Sequence, residues 1–196
     1  MYQKDLYQKY GVNMVVSIEK ISEYEGKEVE IRGWLFNKRS SGKIHFLLVR
    51  DGTGIIQCIA TPQNLDEELF EQAERITQES SLIVKGIVHK DPRAPGGYEV
   101  ELKDIKLVHL AQEYPIQKKE HGIDFLLQNR HLWIRSRRPF AILRIRAEVT
   151  RAICDFFDSR GFLRFDTPIL TGAACEGTTT LFEVPYFFTK AYLSQS

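Results

Sequence analysis

The sequence is poor in cysteine and contains no long apolar run. Its 196 residues include 3 cysteines, Cys58, Cys154 and Cys175, which are odd in number and far apart. Such spacing argues against a disulfide framework or a zinc knuckle and is typical of a reducing compartment. No apolar run approaches the roughly 20 residues of a membrane-spanning helix, and the polar start lacks the apolar region of a secretory signal. We therefore expect a cytoplasmic protein without a membrane partner.

Several motifs for phosphates and metals are also absent. The sequence has no glycine-rich P-loop followed by lysine and no dinucleotide-binding fingerprint. It has no histidine or cysteine spacing typical of a metal site, so we expect none. No histidine follows His131, which leaves Cys175 without an evident base, and we interpret this cysteine as structural. Any ATP chemistry would need another phosphate-binding scheme.

The charge is nearly balanced overall, at +1, but it is unevenly distributed. Residues 116–151 hold nine basic and three acidic side chains, a local net charge of +6. Basic clustering of this kind can bind the phosphates of a nucleic acid. It can equally form a solvated helix face or one side of an interface.

Residues 15–111, after an N-terminal extension over residues 1–14, have the strand and turn pattern of a small barrel. Apolar and polar residues alternate in the first strand, and an Asp51-Gly52 turn predicts an antiparallel hairpin. The predicted strands cover residues 29–36, 45–49, 55–60, 81–89 and 98–110, and a helix with Asn64 as its N-cap lies between the third and the fourth. This order favours an OB-fold barrel over an unspecific small barrel or sandwich.

The residues after the barrel change character. Residues 112–131 are polar and show no clear period, so a hinge is predicted there. Within 132–196, apolar residues at helical spacing predict an amphipathic helix over 136–160, with Pro139 in its first turn and Gly161 after its end. Short strands are predicted over residues 162–165, 181–186 and 191–194.

Three side chains of the barrel could bind nucleic acid: Arg39, Phe46 and Gln57. The last two lie on the second and third strands, whose face holds oligonucleotides in OB folds. A phenyl ring can stack on a base, a carboxamide can both donate to and accept from a base edge, and arginine attracts phosphate. The alternative is that Phe46 is a core aromatic and Gln57 an ordinary exposed residue.

A loop of small residues, 171–180, contains a single acid, Glu176. A carboxylate held there could bind an ammonium group through a charge-assisted hydrogen bond. The alternative is a solvated loop acid.

The ordered motifs resemble the class IIb aminoacyl-tRNA synthetases. One set resembles their N-terminal anticodon-binding barrel, and another resembles the helix and strand of class II motif 1. The last set is similar to the asparaginyl-tRNA synthetases in particular, since the aspartyl and lysyl members usually differ after the Glu-Gly pair. The three sets are residues 29–34, 46–51 and 56–57; residues 135–170; and residues 174–184 and 191–196.

The resemblance implies roles for the matching barrel residues. It implies that Phe46 stacks on the central uridine of the anticodon and that Gln57 hydrogen-bonds this base. Arg39 is then expected against the anticodon backbone or bases, and Glu99 against a neighbouring anticodon base. The role of Glu99 rests on the resemblance alone.

The resemblance also implies roles in the second half of the chain. Glu176 would hold the amino group of asparagine, and Ser196 would line the amino-acid pocket. Pro168, with Ile145 and Val149 of the preceding helix, would lie in a dimer interface, which gives part of the basic segment a second explanation.

The fold expected from the resemblance is an all-β OB-fold barrel followed by the start of an α+β class II catalytic domain with an incomplete antiparallel sheet. The implied function is asparagine–tRNA ligase, a homodimer that uses ATP and Mg²⁺ and binds asparagine and a tRNA with a central anticodon U. Motifs 2 and 3, with their ATP-binding arginines, do not occur up to Ser196. We therefore expect an N-terminal fragment that has no catalytic residue, binds no cofactor and makes no adenylate. A free-standing tRNA-binding OB-fold protein and an aspartyl-tRNA synthetase relative are the alternatives.

Overall fold

The computed structural model describes residues 14–117, 119–172 and 182–193. The chain divides into two units, Met1–Glu120 and His121–Ser196. Glu176 and Ser196, for which the resemblance implies contacts to asparagine, lie outside the described residues.

The first unit is a closed barrel of five strands in the order β1-β2-β3-β5-β4. β3 and β5 pair in parallel and close the barrel, while the other pairs are antiparallel. Its five strands are β1 (Glu28–Ser41), β2 (Ile44–Arg50), β3 (Ile55–Ala60), β4 (Ser81–Lys90) and β5 (Tyr98–His109). The predicted OB-fold barrel is confirmed.

Alternation along the strands separates a core face from an outer face. On β2, Leu47 and Val49 are fully buried inside the barrel, whereas Phe46, which precedes Leu47, is only half-buried. β3 contributes Ile56 and Cys58 to the same core. Because side chains alternate along a strand, each outward position is fixed by its inward neighbours.

A helix between β3 and β4, α1 (Glu67–Arg75), lies where the order of elements predicts it, but its N-cap differs. The predicted cap, Asn64, is wrong: the carboxylate of Asp66 accepts from the N–H of Leu69 at 2.8 Å. Asn64 lies in the preceding turn, where its side-chain oxygen accepts from the Thr61 hydroxyl at 2.7 Å. That contact engages the amide, so the next suitable residue caps the helix.

The opposite end of α1 is tied to β1 by Lys38. The ammonium group donates to the carbonyls of Ile76 at 3.0 Å and Ala73 at 3.4 Å, and also to that of Glu74. Partial burial lowers the pKa of Lys38, against an opposing effect of the Glu74 carboxylate. The lysine satisfies carbonyls that have no partner within the helix and so fixes the end of β1 that leads to Arg39.

The second unit contains three helices and a small sheet in its described part. The helices are α2 (Ile123–Gln128), α3 (Arg130–Trp133) and α4 (Arg137–Asp158). The strands are β6 (Leu170–Thr171), β7 (Glu183–Tyr186) and β8 (Thr189–Leu193), in the antiparallel order β6-β8-β7.

The second unit differs from the sequence-based prediction in two places. Residues 112–131 were predicted as a hinge with no clear period, yet α2 begins after Gly122 and α3 follows it. Residues 162–165 were expected to form a strand, but no strand is formed there. In the described chain no segment pairs with these four residues, and a strand needs a paired neighbour to satisfy its backbone.

None of the described helices has the length and apolar character needed to cross a membrane.

Candidate nucleic-acid interface

The pairing of four strands places two pairs of outward side chains on one face of the barrel. Arg39 on β1 lies directly opposite Phe46 on β2. Gln57 on β3 lies beside Glu99 on β5 in the parallel register. Phe46 and Gln57 are not direct partners, because they are offset by two residues in the pairing of β2 and β3. The two pairs are therefore diagonal neighbours on the same outer face of the sheet, and we call these four residues the row.

Phe46 is stacked against Arg39. The guanidinium carbon of Arg39 lies 4.0 Å from the centre of the Phe46 ring, a cation–π contact. The ring is half-buried and lies outside the barrel core, which removes the interpretation of Phe46 as a core aromatic. A flat group that stacks on the covered face of this ring must first displace the guanidinium.

Gln57 connects Arg39 to Glu99. Its Oε1 accepts from Nη2 of Arg39 at 3.5 Å, and its Nε2 donates to Oε2 of Glu99 at 3.0 Å. The residue is 7% exposed, so the alternative of an ordinary exposed strand residue is wrong. An amide carries two N–H donors and two lone pairs, so after these two bonds one of each remains for a ligand.

The thiol of Cys58, the residue after Gln57 on β3, is buried and unreactive. Cys58 points into the core next to Gln57 and is fully buried. Burial raises the pKa of the Cys58 thiol, and the negative charge of Glu99 raises it further. Since the thiolate is the nucleophilic form, this cysteine takes no part in surface chemistry.

The loop between β4 and β5 carries an exposed arginine, Arg93, which is not among the site residues predicted from the sequence. In the connection between β4 and β5, Arg93 donates from Nε and Nη2 to the carboxylate of Asp91, both at 3.1 Å. The hydrogen bonds from Arg93 lower the pKa of Asp91. The Arg93 side chain is 91% exposed, and its pKa is raised by Asp91 and, to a smaller extent, by Glu99. Its position in a loop that borders the ligand face of OB folds is the signal that could have found it.

The residues expected in a dimer interface belong to the second unit. Ile145 and Val149 lie on α4 and are 64% and 52% exposed. Val149 also lines a shallow apolar groove of about 320 Å³ together with Ile153 and Phe156. Pro168 lies in the exposed segment between α4 and β6. Ile145 and Val149 thus lie on an exposed apolar face of α4, and Pro168 lies in the exposed segment that follows this helix.

Known protein families match both units. The family "OB-fold nucleic acid binding domain" matches residues 29–108, and the family "tRNA synthetases class II (D, K and N)" matches residues 122–196.

Individual relatives agree with the family matches. The chain is 55% identical to an asparagine–tRNA ligase of Pelotomaculum thermopropionicum, over 92% of this chain and 42% of the relative. It is 56% identical to that of Thermus thermophilus, over 93% and 42%. The crystal structure of the asparaginyl-tRNA synthetase from Pyrococcus horikoshii complexed with asparaginyl-adenylate superposes with a TM-score of 0.83 at 38% identity, over 92% of this chain and 42% of that one.

The chain thus spans less than half the length of the relatives it matches. In sequence and in fold it corresponds to the N-terminal portion of the asparaginyl-tRNA synthetases, with their anticodon-binding OB-fold domain followed by the start of their class II synthetase domain.

Proposed function

We propose that this chain supplies anticodon reading to an asparagine–tRNA ligase, through the row formed by Arg39, Phe46, Gln57 and Glu99. The observation that carries the proposal is that one guanidinium contacts both an aromatic ring and an amide on the ligand face of an OB barrel. Single-stranded nucleic acid is bound by this combination of stacking surface, hydrogen-bonding groups and positive charge.

In the proposed complex the central uridine of the anticodon stacks on Phe46 and pairs with the amide of Gln57. The guanidinium carbon of Arg39 lies 4.0 Å from the ring centre and Nη2 donates to the amide oxygen, so the guanidinium occupies the place that the base takes. On binding, Arg39 moves off the ring toward a phosphate. Arg93, in the adjoining loop, supplies a second positive charge for the backbone of the anticodon loop.

The second unit carries the proposed interface and part of the amino-acid site. Ile145, Val149 and Pro168 are proposed to pack against a second copy of the chain, which is supported by their exposure. Glu176 and Ser196 are proposed to hold the amino group and line the pocket of asparagine, on the resemblance alone. Asparagine is favoured over aspartate because the relatives at 55% and 56% identity are asparagine–tRNA ligases.

The complete enzyme is proposed to act in the cytoplasm and to join asparagine to tRNA with ATP and Mg²⁺. ATP would supply the activating nucleotide group and Mg²⁺ would neutralise phosphate charge. In the part of the chain that the structure describes, no group of three or more His, Cys, Asp or Glu could hold a metal ion. The arginine motifs expected to bind ATP do not occur up to Ser196, so no residue of this chain is assigned to that site. We propose that this chain forms no adenylate unaided; ATP–pyrophosphate exchange by the purified chain would contradict this.

Binding of an anticodon stem-loop tests the proposed reading of the anticodon. Phe46→Ala removes the stacking surface, and we expect binding to weaken by about 1–3 kcal/mol, the value of one stacked base. Trp34→Ala is the matched control, because Trp34 is an aromatic residue on β1 that is 42% exposed and pairs with Arg50 and Ser81, away from the row. Fluorescence anisotropy at one fixed salt concentration gives both dissociation constants. An unchanged constant for Phe46→Ala, or an equal loss in the control, contradicts the proposal.

A further inference from the structure

We propose that Glu99 decides which pyrimidine the barrel accepts at the central anticodon position, because its carboxylate fixes the orientation of the Gln57 amide. Glu99 is then a positioning residue that acts through Gln57. The inference rests on the proposed function of the row and deepens it.

The two neighbours of Gln57 have opposite hydrogen-bonding character. The carboxylate of Glu99 only accepts and the guanidinium of Arg39 only donates. Nε2 of Gln57 faces Glu99 at 3.0 Å and Oε1 faces Arg39 at 3.5 Å. Turning the amide by half a rotation would set acceptor against acceptor and donor against donor. Because Gln57 is 7% exposed, water compensates little for these losses, and one amide orientation is held.

Glu99 is the partner that remains when a base binds. Arg39 makes the longer of the two contacts, and its guanidinium covers the ring on which the base stacks. Its displacement leaves the amide held by Glu99 alone. This contact is built on paired backbone, since Gln57 and Glu99 lie side by side where β3 and β5 close the barrel.

An amide held in one orientation distinguishes uracil from cytosine. Uracil presents an acceptor, O4, beside a donor, N3–H, whereas cytosine presents a donor, the N4 amino group, beside an acceptor, N3. In one stacked pose, set by the ring of Phe46 and the attached sugar, an N–H and a C=O in fixed order match only one of these edges. The turned amide would match the other. The amide of Gln57 could pair with either base, and the carboxylate of Glu99 therefore makes it selective for one.

Two anticodon stem-loops that differ only in a central U or C test this inference on the full chain. We expect the wild-type chain to prefer the U loop by about tenfold or more, the range of one good base contact. Glu99→Gln keeps the size of the side chain but can donate as well as accept. We expect this variant to bind the U loop while its preference falls to about threefold or less, because both amide orientations become available.

Two further variants separate the hydrogen bond from the charge. Glu99→Asp keeps the charge but is too short to hold Nε2, so its preference should fall as in Glu99→Gln. Glu101→Gln is the matched control: Glu101 lies on the same strand, is exposed, and its carboxylate lies 3.1 Å from Nε2 of His89. This control removes the same charge and should keep the wild-type ratio. Circular dichroism verifies the fold of each variant.

The outcomes distinguish the inference from the function on which it rests. A wild-type preference for U that persists in both Glu99 variants contradicts the inference and leaves anticodon reading intact. Loss of preference in Glu99→Gln but not in Glu99→Asp contradicts it as well, because charge would then be the cause. A wild-type chain that binds both loops equally contradicts the proposed function, and the inference with it.

Discussion

The barrel and helix α4 place similar apolar side chains in opposite surroundings. Leu47 and Val49 on β2 are fully buried, whereas Ile145 and Val149 on α4 are more than half exposed. The barrel obtains its core by closing a sheet on itself, so its inward residues need no other partner. A single helix has no inside, so its apolar face is covered only by another element. Anticodon reading can therefore be tested on the barrel as it stands, while the function of α4 depends on what covers it.

The largest expected difference between the two units concerns their cysteines. Cys58 is fully buried in the barrel, and burial together with Glu99 raises its pKa, so the thiolate forms less readily at neutral pH. Cys154 on α4 is only partly buried. We expect a thiol reagent to label Cys154 at least about 1,000-fold faster, because Cys58 reacts only when the barrel opens. Peptide mass mapping identifies each site, and similar rates in the native chain would show that the barrel core is open.

Two truncations to alanine, one in each unit, test the same comparison through the free energy of unfolding, with a smaller expected effect. Leu47→Ala should lower the free energy of unfolding of the barrel by about 2–5 kcal/mol, through lost contacts and a cavity. Ile145→Ala should change the unfolding free energy of the dilute chain by less than about 0.5 kcal/mol, since the side chain is already in water. Urea titrations followed by circular dichroism give both values. Equal losses would mean that α4 is covered in solution.

The smallest effect concerns the cap of α1. Asp66→Ala should cost about 1 kcal/mol of barrel stability, because the first turn loses a hydrogen-bond acceptor. Asn64→Ala should cost less than half of that, since it removes only a turn contact. The same urea titrations compare the two variants. A larger loss for Asn64→Ala would restore the cap predicted from the sequence.

The barrel was predictable because strand alternation and turn residues are local signals. The Asp51-Gly52 hairpin and the order of strands and helix along the chain follow from short stretches of sequence, whereas the outward position of Phe46 was left open. The choice between Asn64 and Asp66 as the cap was not predictable, since both side chains can accept from a helix N-terminus and tertiary context selects one.

The contacts within the row could not be predicted from local sequence patterns, because they join residues that are far apart in the sequence. The hydrogen-bond partner of Gln57 is Glu99, which is 42 residues away in sequence and is brought beside it by the parallel pairing of β3 and β5. The helix over Ile123–Gln128 was missed because polar flanks obscure its short apolar run. The strand predicted over residues 162–165 failed for the opposite reason, since apolar character alone supplies no pairing partner.

The most direct test of the central claim is a crystal structure of the chain with an anticodon stem-loop that has a central U. The account predicts that this base lies flat on Phe46 with its edge on the amide of Gln57, and that the guanidinium of Arg39 has left the ring. A loop bound elsewhere, with Arg39 still stacked on Phe46 as in the free chain, would contradict it.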